Sequence, residues 1–549
     1  MFFTMRQFRP LDLLHLRAVV DAAIAPGGEE FTYELAAGDG SSVLWRGYEN
    51  AGDPRPLTRG PHDHKPRYAP DQTQIAFLRG EGGASQIYLL DRRGGEAMPF
   101  TRLRFGVCDF AWSPDSRAIA AVTPIGPEGP LPLAADADAH PAPAGAVHAL
   151  LLMQMDGTWR QLSPDGVDCA HPAFSADGRR IACLVRRPRD PAACLAGLPT
   201  DGGIAQCLVP AEFAPGPADF SPDGALAFAA QPIGALAPAL YTVSAAGGEP
   251  QPYGTALPEG LAPTLRQAPV YAADGGSLYT LLGEDGTWRL AEVRPQGDYR
   301  LRTPAGLSVR RFALDDAGSR AALVVEEHVA PARFELRDPA GRLQLRSRHD
   351  DPALTGVHRI MANDLPLPGG GHAHIYLPEA ATPIPSVLLA SRRPLGFSVQ
   401  AQALASHGLA VIAAPSGDLH AALGTALATL PQLDRERFGI AAEGDDALLA
   451  LPLLEDGRAV AAAFTNLPQT APVCHPSASD AAGYRSAVLL MDNAETLSDL
   501  KTLPARLLPA VAELRRFPEE HGPACTWRPS AQAVRLSLEA EWLVRYLAQ

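Results

Sequence analysis

The residues with types and spacing suited to chemistry fall mainly in the final third of the chain. Asp445 and Asp446 are adjacent acids just after the apolar run RFGIAA, and His521 stands beside Glu519 and Glu520. Carboxylates beside an imidazole support general acid–base catalysis when burial raises a pKa. Adjacent acids at the start of a helix-like stretch also serve as capping charges, and both readings stay open. Arg392 and Arg393 follow the apolar run SVLLAS. Two guanidinium groups there either bind a peptide carboxylate or form a solvated pair. Cys474 beside His475 is a weak signal for reactivity or metal binding, because the further ligands of a structural zinc are not apparent.

These residues need elements to hold them, and the first two thirds of the chain repeat one short pattern. An aromatic or apolar residue and a small residue lead into a turn with Pro, Asp or Gly, then an alternating strand. Copies begin at Ile24, Tyr68, Trp112, Phe174, Phe220, Tyr271 and Ala313, at intervals of 44, 44, 62, 46, 51 and 42 residues. Pro-Asp and Asp-Gly preset turn geometry, and the intervals match the blade length of a β-propeller. Seven small sheets that stack radially bury what none can bury alone. The long interval contains PIGPEGPLPLAADADAHPAPAG, from Pro124 to Gly145. Its bias is too strong for a blade and predicts a mobile excursion.

Beyond residues 350–365 the pattern changes. Short apolar runs (HIYLP after Ala373, SVLLAS from Ser386, GLAVIAAP from Gly408, RFGIAA from Arg437, AVAAAF from Ala459, SAVLLMD from Ser486, VAELRRF from Val511) are interleaved with helix-like stretches. In the last stretch Val534, Leu538 and Trp542 recur every four residues, as on a helix face. Such alternation predicts a mainly parallel α/β sheet covered on both sides.

A seven-fold propeller followed by an α/β sheet resembles the prolyl-oligopeptidase (S9) superfamily. Phrases such as LTRGPHDHKPRYAPDQTQIAFLRG from Leu57 and QIYLLDRRGGEAMPFTR from Gln86 are similar to propellers of its acylaminoacyl-peptidase branch. The resemblance covers nearly the whole chain. It implies a seven-bladed β-propeller over residues 1–350, whose first residues can pack on the second domain, and a trimmed α/β-hydrolase domain over 351–549.

The same resemblance assigns the catalytic positions. In the family a Ser sits on a strand-to-helix elbow of form G-x-S-x-G, activated by a His that an Asp orients. Asp434 and Arg437 match the Asp-x-x-Arg approach to that elbow, and Ala442, Glu443, Gly444, Asp445 and Asp446 occupy the pentapeptide. Gly444 therefore takes the place of the serine, and a residue without a side chain forms no acyl-enzyme. Thr496 takes the place of the aspartate, with Glu495 one position early, and FPEEHGPA retains the histidine as His521. Ser391, Arg392 and Arg393 replace the His-Gly-Gly turn that exposes backbone N–H groups to an oxyanion. The segments before the elbow and after AAAFTN are short, the latter about 20 residues, where the family builds pocket and lid.

Bulk properties narrow the function. The chain has 549 residues, 46% hydrophobic and 20% charged, with 53 prolines and 50 glycines, a globular, turn-rich composition. A formal net charge of -14 with no basic run opposes nucleic-acid binding. No apolar stretch reaches bilayer length, and MFFTMRQFRP has no secretory pattern, so the expected location is cytoplasmic. Seven scattered cysteines without a CxxC pair are expected to be reduced, structural thiols. No cofactor or metal is expected. The expected function is that of a catalytically silent S9 homologue acting as a peptide-binding, scaffolding or regulatory subunit, alone, as a homo-oligomer or with an active relative. The alternatives are an active hydrolase with a displaced catalytic set and a propeller adaptor.

Overall fold

The computed structural model describes residues 5–80, 84–126, 129, 146–187, 190–235, 237–255, 257–258, 261–284, 287–368, 371–379, 382–390, 396–415, 418–455, 459–466, 487–493, 511–517 and 529–547. Seven antiparallel sheets follow one another along the chain, each made of consecutive strands. Blade 1 runs from Arg17–Ile24 to Arg55–Pro56, blade 2 from Asp63–Tyr68 to Met98–Pro99, and blade 3 from Asp109–Trp112 to Trp159–Gln161. Blade 4 has strands Asp168–Phe174, Arg180–Arg187, Asp190–Pro199 and Gln206–Cys207. Blade 5 runs from Phe213–Phe220 to Gln251–Tyr253, blade 6 from Ala262–Pro263 to Tyr299–Leu301, and blade 7 from Ser308–Leu314 to Leu343–Arg346. This is the expected seven-bladed propeller.

Each repeated motif lies at the hairpin between the first long strands of a blade, and its chemistry explains why. In blade 3 the Ser113 hydroxyl donates to Asp115 at 2.6 Å and accepts the Ala118 N–H at 2.9 Å. Ser175 and Asp177 repeat this in blade 4, and Ser221 and Asp223 in blade 5. The serine thus satisfies backbone groups that a tight turn would leave open. Gly178 and Gly224 follow with φ of 69° and 90°, a conformation open to glycine at no steric cost. The long excursion leaves blade 3 between Ala118–Ile125 and Val147–Gln154, which pair up to Ile125 and Val147. Most of it lies outside the described residues.

The second domain is an eight-stranded sheet. Its strands are β1 (Ala362–Pro366), β2 (His372–Tyr376), β3 (Ile384–Ala390), β4 (Ala410–Ala414), β5 (Leu433–Glu443), β6 (Ala459–Thr465), β7 (Ala487–Asn493) and β8 (Val511–Phe517). They lie in the order β1-β2-β4-β3-β5-β6-β7-β8. Only β1 and β2 run antiparallel to their neighbours. Helices α1 (Val399–Ser406) and α5 (Pro529–Leu547) cover one face; α2 (Leu419–Thr429), α3 (Asp445–Ala450) and α4 (Pro452–Glu455) cover the other. Full burial of each Leu, Ile or Val in these layers contributes roughly 1.5–3 kcal/mol. Between β4 and β5 a single helix, α2, is present, in keeping with a trimmed domain.

Two details differ from expectation. The stripe that α5 buries is Ala533, Leu536, Ala540, Leu543 and Leu547, with Trp542 beside it, while Val534 is 51% exposed. A strict four-residue spacing drifts around a 3.6-residue helix, so the first member leaves the core. The cysteines are not all reduced: Cys194 and Cys207 are bridged, their Cα atoms 6.4 Å apart. Adjacent strands of blade 4 place them within bridging reach, which spacing in the sequence does not reveal.

The two domains are laced together. Arg6 and Gln7 pair with Val357 and His358, and the 3-10 turn Pro10–His15 packs against α5. From blade 7, His328 reaches β2, where its Nε2 lies 3.1 Å from Nε2 of His374. No helix among the described residues is long and apolar enough to cross a membrane.

Candidate functional site

The site is built where β5 ends. Asp434 and Arg437 begin that strand: the Asp434 carboxylate accepts the N–H groups of Glu436 and Arg437 and pairs with the Arg437 guanidinium at 3.1 Å. The apolar residues that follow are buried, and Gly439 permits close approach of α5, because a Cβ there would lie 3.0 Å from Leu543. After Glu443 the chain turns sharply into α3 through Gly444, whose φ is 57°. Its N–H donates to Thr465 O at 2.9 Å, and its carbonyl accepts the Ala447 N–H at 3.0 Å.

This is the geometry of a nucleophile elbow on the fifth strand of a hydrolase sheet. A Cβ added at Gly444 would meet no atom of the described residues within 4 Å. The elbow therefore has a left-handed backbone and, among the described residues, nothing against the position of a side chain, but it carries none. Asp445 and Asp446 are the first two residues of α3, with Asp446 half-buried. At that end of a helix the charge of Asp446 is favourable.

The other expected site residues relate to the elbow through their strands. Thr496 and Glu495 follow the end of β7, His521 follows the end of β8, and Arg392 and Arg393 follow the end of β3. All five lie outside the described residues, as do Cys474 and His475. Of the strands from which they depart, β3 is a direct neighbour of the elbow strand, β7 lies two places from it and β8 three.

Where the chain is described again after β3, Gly396 packs against blade 7. A Cβ there would lie 1.9 Å from Glu326 Oε1, and Glu326 is buried and held by Arg310 at 2.6 Å.

Sequence reasoning missed a polar cluster associated with the elbow strand. Glu539 of α5 is 1% exposed; Gln400 Nε2 donates to it at 2.6 Å and Arg535 Nη1 at 3.2 Å. Burial pushes its carboxyl up, partly countered by Arg535, and the nearby Glu443 pushes in the same direction as burial. The cluster ties α1, α5 and the residue before Gly444 into one electrostatic unit. Its signal in the sequence was the Arg535–Glu539 spacing of four on a helix. Among the described residues no group of three or more His, Cys, Asp or Glu side chains is arranged to hold a metal.

No family model matches the sequence. An uncharacterised peptidase of Bacillus subtilis (strain 168), YuxL, is 28% identical over 193 residues; the match spans 31% of this chain and 29% of that protein. Among solved structures, the acylaminoacyl peptidase of Pyrococcus horikoshii superposes with a TM-score of 0.75 over 98% of each chain at 16% identity. A puromycin-hydrolysing peptidase of Mycobacterium tuberculosis gives a TM-score of 0.71 at 16% identity, over 100% of this chain and 97% of that one. With seven consecutive blades followed by an eight-stranded α/β sheet, and superposition along nearly its whole length, the chain has the two-domain fold seen in the acylaminoacyl peptidase of Pyrococcus horikoshii.

Proposed function

We propose that this chain is a catalytically silent S9 homologue that keeps the two-domain scaffold to bind peptides, to assemble with an active relative or to regulate one. The observation that carries this reading is the elbow at Gly444, a left-handed strand-to-helix turn with no atom of the described residues within 4 Å of a Cβ there, and no nucleophile. Acyl transfer in this fold needs a hydroxyl at that position. The replacement of the family aspartate by Thr496, and of the glycine turn by Arg392 and Arg393, supports the same reading. His521 then serves as a structural or ligand-binding residue, and the arginine pair offers a carboxylate clamp for a peptide.

Labelling with a serine-reactive fluorophosphonate, together with turnover of acyl-peptide and dipeptide chromogenic substrates, tests it. Silence is expected in both. Specific labelling, or hydrolysis that a single substitution abolishes, overturns the reading in favour of an active hydrolase with a displaced catalytic set. Purification from native cells is expected to recover a peptidase of the same fold; recovery of an unrelated partner would instead mark a propeller adaptor.

A further inference from the structure

Blade 4 carries four of the seven cysteines, one on each strand: Cys169, Cys183, Cys194 and Cys207. Cys169 and Cys194 both oppose Val185, while Cys183 and Cys207 both oppose Ala196. Strand residues two apart share a face, so all four sulfurs are on one side of the sheet. Cys169, Cys183 and Cys194 pack there with Ala120, Val122 and Leu150 of blade 3. Each cysteine is thus a diagonal neighbour of the next across the strands, a spacing within side-chain reach. One diagonal is already a bond, Cys194–Cys207. In another, Cys183 and Cys169 lie diagonally on adjacent strands and each thiol perturbs the other. The third, Cys183 and Cys194, has the same two-residue offset.

Access is graded along this line. Cys207 is exposed, Cys194 half-buried, and Cys183 and Cys169 buried. With two cysteines bridged, two thiols remain, fewer than a tetrahedral zinc site takes. The Cys183 thiol, with Ser163, draws the Cys169 thiol below its ordinary range, while Cys169 and burial push Cys183 up. Thiolate character at Cys169 favours its attack on a disulfide that has reached Cys183, the second of the two exchanges below.

We propose that blade 4 is a thiol–disulfide exchange site, a four-cysteine relay that passes a disulfide between the exposed outer strand and the packed seam with blade 3, its external reactant being a low-molecular-weight thiol or disulfide. In the first step the Cys183 thiolate attacks Cys194 Sγ. A Cys183–Cys194 bond forms, the Cys194–Cys207 bond breaks, and Cys207 leaves as a thiolate that takes up a proton. In the second step the Cys169 thiolate attacks Cys183 Sγ, forming Cys169–Cys183 and releasing Cys194. One S–S bond forms and one breaks in each step, so the oxidation level of the chain is unchanged. An external disulfide can then reoxidise Cys194 and Cys207, giving one new bridge and two molecules of the small thiol.

The full chain is equilibrated with graded ratios of reduced and oxidised glutathione, acid-quenched, alkylated in denaturant and mapped for cysteine pairing by mass spectrometry. Cys183–Cys194 and Cys169–Cys183 bridges are expected beside Cys194–Cys207; their absence at every ratio overturns the relay. In Cys194→Ser, which removes the middle of the line, Cys207 should hold glutathione and Cys169–Cys183 should oxidise roughly tenfold more slowly than in the unaltered chain. Equal rates would mean that the inner pair reacts directly. Cys207→Ser supplies a second reading if the first variant does not fold: Cys194 should then bridge to Cys183, and a glutathione adduct alone on Cys194 counts against the proposal.

Discussion

Phe31 of blade 1 and Phe334 of blade 7 stack with ring centroids 4.5 Å apart. Tyr33 lies 4.9 Å from the same Phe334 ring, and all three are fully buried. Because every blade is made of consecutive strands, no strand is shared between the first and last blades. Side-chain packing at this seam therefore closes the ring.

Phe334→Ala should cost about 3–5 kcal/mol, the usual range for an emptied aromatic site. Its first effect should be on the seam rather than on a single blade. Hydrogen exchange is expected to show lost protection in blades 1 and 7 together, alongside a lower thermal midpoint. Loss confined to blade 7 would show that the ring is closed elsewhere.

Gly396→Ala tests the contact between the domains. The added methyl would overlap Glu326, whose carboxylate is fixed by Arg310 in a buried position, so the loop or the blade must shift. Overpacking of this kind costs roughly 1–3 kcal/mol. Limited proteolysis should cleave between the domains faster than in the unaltered chain, and Glu326→Ala in the same molecule should restore much of the resistance.

Glu34, in the second strand of blade 1, is 8% exposed, and burial pushes its carboxyl up to about 7, partly opposed by the Lys65 N–H that donates to it. The folded state therefore keeps this proton to a higher pH than the unfolded chain. Stability from this group is complete below about pH 4.5 and declines as pH rises to about 7, by up to about 1.4 kcal/mol per unit. Glu34→Gln should remove that decline, seen as urea midpoints that differ less between pH 5 and pH 7.5.

His374 has the opposite sign. It is 2% exposed, and burial, reinforced by His328, holds its pKa at about 4. Asp364 on β1 and His372 on its own strand also face it, while Glu327 and Asp364 act on its partner His328. The neutral ring is favoured in the fold, so stability is intact above about pH 6.5 and falls as pH drops towards 4. His374→Phe should flatten thermal stability across pH 4.5–7. An unchanged slope would place the acid sensitivity elsewhere.

The propeller was legible because its turns are local. Ser113-Pro114-Asp115 and its counterparts bond within a few residues, so each blade announces itself in the sequence. The seam between Phe31 and Phe334 joins the two ends of the propeller, and no local pattern marks it. Strand β1, residues Ala362–Pro366, was missed because Asn363, Asp364 and Pro366 are poor strand formers; pairing with β2 overrides that preference. The elbow was placed at Gly444 by resemblance, through the Asp-x-x-Arg approach at Asp434 and Arg437, and the strand-to-helix turn stands there. The carboxylate of Glu539 and the amide of Gln400 belong to helices far apart in sequence, so their 2.6 Å bond was invisible there, as was the pairing of Cys194 with Cys207.

Gly444→Ser separates loss of one side chain from loss of a site. No atom of the described residues stands within 4 Å of this Cβ, so the variant should fold. The left-handed backbone at φ 57° should cost roughly 1–2 kcal/mol for any residue with a Cβ, lowering the thermal midpoint by a few degrees. A serine hydroxyl on the elbow still needs a base, an acid that orients it and donors for the oxyanion. In the proposed reading Thr496 and the Arg392–Arg393 pair stand in place of two of those partners, so fluorophosphonate labelling and ester turnover should remain at background. A serine that labels specifically would mean that His521 and the surrounding turns still form a working site, and that the change at Gly444 stands alone.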